Sequence, residues 1–109
     1  MSVFPPPFEV TRARVDGSVF VTLRGELDLA SAPQAHEALA EEAMHGGTIV
    51  VDITQLEFID STGIRVLLVA WEESRAGAFT LRVTRGTPAV MRVFELLDLV
   101  GTLPFIGRP

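Results

Sequence analysis

The chain has 109 residues, of which 48% are hydrophobic and 21% charged, and its formal net charge is −5 at pH 7. This size and composition predict one soluble globular domain over residues 1–109, with a core at about 8–106. The absence of cysteine and lysine excludes disulfides, thiol catalysis and Schiff-base chemistry. No apolar run reaches the ~20 residues of a membrane span. Arginines scattered along an acidic chain argue against a nucleic-acid surface.

The pattern of the amino-terminal segment does not indicate a secretory signal. Its first ten residues, "MSVFPPPFEV", lack a basic stretch followed by a continuous apolar stretch. We therefore expect a cytoplasmic protein, in which residues 1–7 form a stiff, proline-rich lead-in to the first strand.

The first half of the chain alternates between strand and helix patterns. An Asp-Gly dipeptide at 16–17 suits a tight hairpin turn and separates two apolar stretches, which predicts two antiparallel strands. Ser31 as a cap and a proline in the following turn predict a first helix, which ends at the glycines at 46–47. The β-branched run at 48–53 then predicts a short central parallel strand.

The second half repeats this alternation. A second helix is predicted over 61–76, a strand over 79–84, a third helix from Thr87 to Gly101, and a short edge strand at 103–106. The predicted core stripe of the second helix is Ile64, Leu67, Leu68 and Trp71. The order β-β-α-β-α-β-α-β predicts an α/β fold with a mixed, mostly parallel sheet of about five strands, an N-terminal hairpin and three helices.

Polar side chains follow two strands that we expect to be neighbours. Glu26 and Asp28 follow the second strand, and Asp60, Ser61 and Thr62 follow the third. Because the carboxyl ends of parallel strands meet at one edge of a sheet, Asp28 is expected near Ser61, beside the start of the second helix. The sequence therefore predicts a functional site at that edge.

The stretches "GELD" and "FIDSTGI" are separated by one helix and one apolar strand, and together they resemble the STAS domain. They resemble most specifically the anti-sigma factor antagonists of bacteria. The resemblance covers roughly residues 8–106 and includes "TPAVMRVFELLDL", which is similar to the third helix of that family. It implies a STAS-like fold and a role in transcription regulation by protein binding.

The resemblance also implies a partner switch. The phosphoacceptor of the family is the hydroxyl residue directly after the Asp of the motif, which is Ser61 here, with Thr62 as a minor alternative. The unmodified form is expected to bind an anti-sigma factor that is also a serine kinase, and the phosphorylated form to release it. A serine phosphatase would reverse the reaction. ATP and magnesium belong to the kinase, so no cofactor is expected on this chain.

The expected partner-binding residues surround Ser61. They are Glu26, Asp28, Asp60, Ser61, Thr62, Gly63, Arg65, Val66 and Val69. A phosphate on Ser61 is expected to join Asp60 and Asp28 in one acidic cluster, and both valines are expected to be exposed opposite the core stripe. Structural roles stay open for several of these residues: Ser61 or Asp60 as a helix cap, Gly63 as a close-approach glycine.

Two other functions compete with the switch. Ser61 lies on a strand-to-helix turn, as a hydrolase nucleophile does, but its surroundings lack the first glycine of G-x-S-x-G. His36 and His45 are the two histidines, and both fall on the first helix, so we predict no enzymatic activity. STAS-like proteins also serve as accessory subunits of transporter ATPase complexes or as ligand-sensing modules. The same surface would then bind a partner without phosphorylation.

Overall fold

The computed structural model describes residues 8–107, and the predicted proline-rich lead-in at 1–7 lies outside them. Five strands and three helices alternate in the predicted order. They are β1 (Phe8–Val15), β2 (Ser18–Leu27), α1 (Ala32–Ala43), β3 (Thr48–Ile59), α2 (Ser61–Arg75), β4 (Thr80–Thr84), α3 (Pro88–Leu96) and β5 (Phe105–Ile106). Within the described residues, none of the helices has the length and apolar character that a membrane crossing requires.

The five strands lie side by side in chain order. β1 is antiparallel to β2, and the other three pairs are parallel, so the predicted mixed, mostly parallel sheet is confirmed. Each parallel strand is added on the same side of the strand before it. Right-handed crossovers between these strands therefore place all three helices on one face of the sheet. The opposite face is left open, with Phe20, Arg24 and Arg82 exposed.

The core fills the space between the sheet and the helices. Alternate residues of β2, among them Val19 and Val21, point into it and pair with Ile49 and Val51 of β3. α3 adds the fully buried ring of Phe94. Each such side chain stabilises the folded state by about 1.5–3 kcal/mol relative to exposure. β2 and β3 therefore form the central part of the sheet against which the helices are positioned.

Both central strands are longer than predicted. β2 continues through Leu27 and β3 through Ile59, whereas the sequence pattern indicated loops there. The β2–β3 register shifts twice between Thr22 and Glu26, which marks β-bulges. A bulge breaks the alternation of apolar and polar residues on which strand prediction depends. As a result, the two strands end directly before Asp28 and Asp60.

The buried face of α2 is rotated from the predicted one. Its buried residues are Gly63, Ile64, Val66, Leu67, Ala70 and Ser74. Val66 is 8% exposed, so the prediction of an exposed Val66 is wrong. Leu68 and Trp71 are half-buried at the margin of the core. The reason is steric: glycine, alanine and serine at 63, 70 and 74 let this side of the helix approach its neighbours, and the larger side chains are displaced to the edge.

Two helix ends also differ from the prediction. The Ser31 side chain does not cap α1, because its hydroxyl donates to the Glu26 carbonyl at 2.7 Å. α3 ends before Leu97, whereas the sequence predicted a helix as far as Gly101, and Leu97 is 51% exposed. Asp98 has a positive φ of 56° and turns the chain there, a role that the sequence assigned to Gly101.

A buried carboxylate attaches α1 to the edge strand β1. The Glu42 carboxylate, 3% exposed, accepts from Arg12 at 2.9 Å and from Arg14 at 2.7 Å. Arg12 also pairs at 2.9 Å with the exposed carboxylate of Glu41. Burial by itself would raise the pKa of Glu42, but the hydrogen bonds and charges of the two arginines outweigh it, and the pKa is lowered.

Substitution of Glu42 by glutamine is expected to lower the free energy of unfolding by about 1–2 kcal/mol at pH 7, because two charged hydrogen bonds are lost. A carboxylate whose pKa is lowered by folding stabilises the protein above its unfolded pKa of about 4.3, and that contribution disappears as the pH falls through the folded pKa. Urea unfolding of both proteins should therefore show a difference at pH 7 that shrinks below about pH 4.

The matched control is Glu41→Gln, which removes the exposed partner of the same arginine. Its effect is expected to stay below about 0.5 kcal/mol. Equal effects of the two substitutions, or a Glu42→Gln effect that does not change with pH, would contradict the assignment of Glu42 as the anchor.

Candidate functional site

The ends of β2 and β3 lie side by side at one edge of the sheet. Leu27 pairs with Ile59, and the backbone N–H of Asp60 donates to the Leu27 carbonyl at 3.2 Å. Asp28 and Asp60 are thus the first residues beyond two adjoining strand ends. The predicted adjacency of the two polar segments is confirmed at the level of the backbone.

Asp60 is the cap of α2. Its carboxylate accepts from the Gly63 N–H at 3.0 Å, and its carbonyl accepts from the Ile64 N–H at 3.0 Å. Ser61 is therefore the first helical residue and not the cap, which closes one of the alternatives left open by the sequence. Its side chain is exposed, and within residues 8–107 its hydroxyl makes no hydrogen bond. This hydroxyl is accessible to a modifying enzyme.

Gly63 allows the first turn of α2 to touch the end of β2. A Cβ at this position would lie 2.6 Å from the Leu27 carbonyl oxygen, 2.7 Å from Leu27 Cγ and 3.0 Å from Ile59 Cγ1. No side chain fits such a space in a close-packed interior. Gly63 is buried, and the structure supports its role as a close-approach glycine. The close approach fixes the first turn of α2 and thereby positions Ser61.

Two apolar grooves meet at the start of α2, each with a volume of about 440 Å³. The α1–α2 groove is lined by Leu29, Ala32, Pro33, His36, Thr62, Arg65, Val66 and Val69. A second groove, between α2 and the segment that follows α3, is called the α2–α3 groove and is lined by Ser61, Thr62, Ile64, Arg65, Leu68, Leu97 and Leu99. Thr62 and Arg65 line both grooves and thus form the boundary between two surfaces that could accept apolar side chains of a partner, and Ser61 lines the α2–α3 groove beside them.

Asp28 is directed differently from the prediction. Its Oδ1 accepts from the N–H groups of Ala30 at 3.0 Å and Ser31 at 3.1 Å, and from the Ser31 hydroxyl at 3.2 Å. This is a local turn that holds the loop before α1. Asp28 and the exposed Glu26 line a separate depression, which shares no lining residue with the two grooves. The Asp28 carboxylate is thus hydrogen-bonded within its own loop, whereas Asp60 directly precedes Ser61.

The sequence reasoning missed Leu29 and His36, which line the α1–α2 groove beside the predicted Arg65 and Val69. Leu29 is 74% exposed. A large apolar side chain in water next to an apolar groove indicates a contact surface. The signal in the sequence was an isolated leucine within the polar loop that precedes α1.

The family model described as "Mlab, STAS domain" matches residues 10–105. The chain belongs to the STAS domain family. Among curated relatives, BtrV of Bordetella bronchiseptica, described as a candidate anti-sigma factor antagonist, is 29% identical over 97 residues. That match covers 88% of this STAS domain and 84% of the relative.

Solved structures share the fold of this STAS domain. An anti-sigma factor antagonist from Mycobacterium paratuberculosis matches with a TM-score of 0.83 at 24% identity, over 93% of this chain and 86% of that one. The antagonist SpoIIAA in its unphosphorylated form matches with a TM-score of 0.73 at 24% identity, over 94% and 88% of the two chains. The Bacillus SpoIIAA in its phosphorylated form matches with a TM-score of 0.68 at 23% identity, over 94% and 91%. At these identities the likeness establishes the fold alone.

Gly63→Ala is expected to lower the free energy of unfolding of this STAS domain by at least about 2 kcal/mol, because the new methyl group meets a backbone carbonyl that cannot move aside. Urea unfolding followed by circular dichroism measures the loss. The matched control is Gly101→Ala, where a Cβ would meet nothing within 4 Å and where the effect is expected to be below about 0.5 kcal/mol. A Gly63→Ala variant as stable as the Gly101→Ala variant would show that α2 does not need this close approach.

Proposed function

We propose that this STAS domain is an anti-sigma factor antagonist that binds an anti-sigma factor with serine kinase activity and is released when that kinase phosphorylates Ser61. The observation that carries the proposal is the position of Ser61: an exposed hydroxyl at the first residue of α2, in the lining of the α2–α3 groove and next to Thr62, which lines both grooves. A group added there changes the surface that a partner would cover and leaves the core untouched.

The comparisons support this class of function. BtrV and other curated relatives carry names of anti-sigma factor antagonists. SpoIIAA has been solved in unphosphorylated and phosphorylated forms, and this chain matches the fold of both. A phosphorylation cycle on this fold is therefore a reasonable basis for the proposal on Ser61.

The proposed reaction is a phosphoryl transfer carried out by the partner. The Oγ of Ser61 forms a bond to the γ-phosphorus of ATP, the bond from that phosphorus to the β–γ bridging oxygen breaks, and ADP leaves. The hydroxyl proton passes to a base of the kinase. This chain supplies the nucleophilic hydroxyl, and the kinase holds ATP and magnesium. A serine phosphatase restores the hydroxyl by hydrolysis of the phosphate ester.

Release follows from the charge that the phosphate adds. A phosphoserine carries about −1.5 to −2 charges at pH 7. The carboxylate of Asp60 lies directly before Ser61, so the modification concentrates negative charge at the rim of the grooves. A partner that covers this rim would have to desolvate the phosphate and any like charges facing it. The positive end of the helix dipole stabilises the phosphate by about 0.3–1 kcal/mol, so α2 is expected to stay folded.

The two grooves are the proposed docking surface. Leu29, Val69 and Leu97 offer apolar side chains at their rims, and Val66 forms part of the floor of the α1–α2 groove. Arg65 and Thr62 add polar contacts between the grooves. Glu26 and Asp28 remain predicted contacts, and they line a depression beside the loop that carries Leu29.

The runner-up function is that of an accessory subunit of a transporter ATPase complex, or of a ligand-sensing module. The same grooves would then hold a partner or ligand without a phosphorylation cycle. Both functions use the apolar surface, and they differ in whether Ser61 is modified. The experiment below separates them.

Incubation with Mg-ATP and a candidate anti-sigma factor kinase is expected to add one phosphate to Ser61, as measured by intact mass and peptide mapping. Ser61→Ala should abolish the modification, and the matched variant Thr62→Ala should retain it. In a binding assay, Ser61→Asp is expected to weaken the complex by at least about tenfold, which corresponds to ~1.4 kcal/mol. Ser61→Ala should keep the binding form, and all variants should unfold at the temperature of the parent protein.

A phosphate found on Thr62 would show that Thr62, and not Ser61, is the phosphoacceptor. Unchanged affinity of the Ser61→Asp variant would contradict release of the partner by charge at position 61. A stable complex with a transporter ATPase, formed without any modification, would favour the accessory role.

Leu29→Ser is expected to weaken binding of the same kinase by about fivefold to tenfold, because an apolar contact in the α1–α2 groove is lost. Met44→Ser is the matched control, since Met44 is 86% exposed and lies at the opposite end of α1. Isothermal titration calorimetry measures both affinities. If Met44→Ser weakens binding as much as Leu29→Ser, the groove is not the docking surface.

A further inference from the structure

Arg65 lies one helical turn after Ser61 and is the cation that the two grooves share. Its side chain is exposed, and it lines the α1–α2 groove as well as the α2–α3 groove, in which Ser61 also takes part. Within residues 8–107, no ion pair or hydrogen bond of the Arg65 side chain is found. Among the residues that line the grooves, it is the one arginine. This guanidinium is therefore available to an anion that arrives at either groove.

One backbone N–H in the first turn of α2 is not free to bind such an anion. The N–H of Gly63 is already bonded to the Asp60 carboxylate at 3.0 Å. A phosphate on Ser61 that turned toward this end of the helix would compete with that carboxylate and meet its negative charge. Rotation of the phosphate toward the next turn of the helix avoids both costs.

Helix geometry places Arg65 where the rotated phosphate would meet it. Residues four apart on a helix have Cβ atoms about 5–6 Å apart, and an acidic group N-terminal to a basic one is the favourable orientation. The planar fork of a guanidinium can bond two phosphate oxygens at once. The buried face of α2, with Gly63 and Leu67, points away from both side chains, so they share the solvent-facing side.

We propose that the phosphate on Ser61 is bound by the guanidinium of Arg65 within the same helix, and that phosphorylation thereby withdraws Arg65 from the surface offered to the partner. The inference rests on the proposed modification of Ser61 and adds a second part to its effect. Phosphorylation places negative charge at the rim and also neutralises the arginine shared by the grooves. An acidic side chain of the partner that pairs with Arg65 in the unmodified complex then loses its counterpart.

The test uses protein with phosphoserine incorporated at position 61 during translation, so no kinase is needed. A pH titration followed by ³¹P NMR gives the second pKa of the phosphate. A nearby guanidinium favours the dianion, so this pKa is expected to be lower by about 0.3 in the parent sequence than in Arg65→Gln. The difference should decrease in 1 M salt, where charges are screened within about 3 Å.

Arg75→Gln is the matched control, because Arg75 is an exposed arginine in the last turn of the same helix. At 1.5 Å per residue it lies about 21 Å along the helix from position 61, which exceeds the screening length of about 10 Å in 0.1 M salt. The Arg75→Gln phosphoprotein should titrate as the parent does. Circular dichroism of each phosphoprotein checks that α2 is retained.

A pKa that does not change in Arg65→Gln overturns the pairing, and so does an equal rise in both arginine variants, which would report only net charge. The outcome is independent of the partner. If the phosphoprotein shows the phosphate–Arg65 pair but no kinase modifies Ser61, the proposed function is wrong and the pairing stands. If the kinase modifies Ser61 but Arg65→Gln does not change the pKa of the phosphate, the proposed function stands and the pairing is wrong.

Discussion

The contact between the first turn of α2 and the end of β2 determines what this surface can do. Gly63 approaches Leu27 so closely that no Cβ fits, and the N–H of Asp60 bonds to the carbonyl of the same leucine. Successive helical residues are about 100° apart around the axis. The residues two positions before and two positions after Gly63 are therefore each about 200° around the helix axis from it, on the side that faces away from the sheet. Those two positions are Ser61 and Arg65, so the contact that buries the glycine also points the hydroxyl and the guanidinium into solvent.

On this surface, the residues that would supply binding affinity are different from the residue whose modification would control binding. The apolar rims of the grooves, with Leu29, Val69 and Leu97, can supply most of the free energy of binding, because burial of apolar area is what drives association. Ser61 contributes little area, yet a phosphate on it would lie in the α2–α3 groove beside Thr62 and Arg65, which line both grooves. A change of ~1.4 kcal/mol is a factor of ten in affinity, so one charge on a small side chain is sufficient to change the partner's occupancy.

The sequence was enough to predict the order of the elements, the hairpin and the helix that starts after Asp60, because those features depend on local periodicity, turn residues and caps. It failed where tertiary geometry decides. The bulges between β2 and β3 hid the last residues of both strands, and the small residues of α2 turned its buried face so that Val66 lies inward. The adjacency of the two strand ends was predictable from topology. The direction of the Asp28 side chain was not, since it depends on hydrogen bonds within one loop.

The ion pairs that attach α1 to the edge strand β1 are remote from Ser61, the proposed site of modification. Glu42 joins α1 to β1 near the end of a helix that begins beside the functional site, and 12 residues span about 18 Å. Charge added at Ser61 is screened over a shorter distance, about 10 Å in 0.1 M salt. The ion pairs of Glu42 with Arg12 and Arg14 should therefore be insensitive to the modification state. The proposed phosphorylation would therefore change the binding surface and leave the ion pairs that attach α1 to β1 in place.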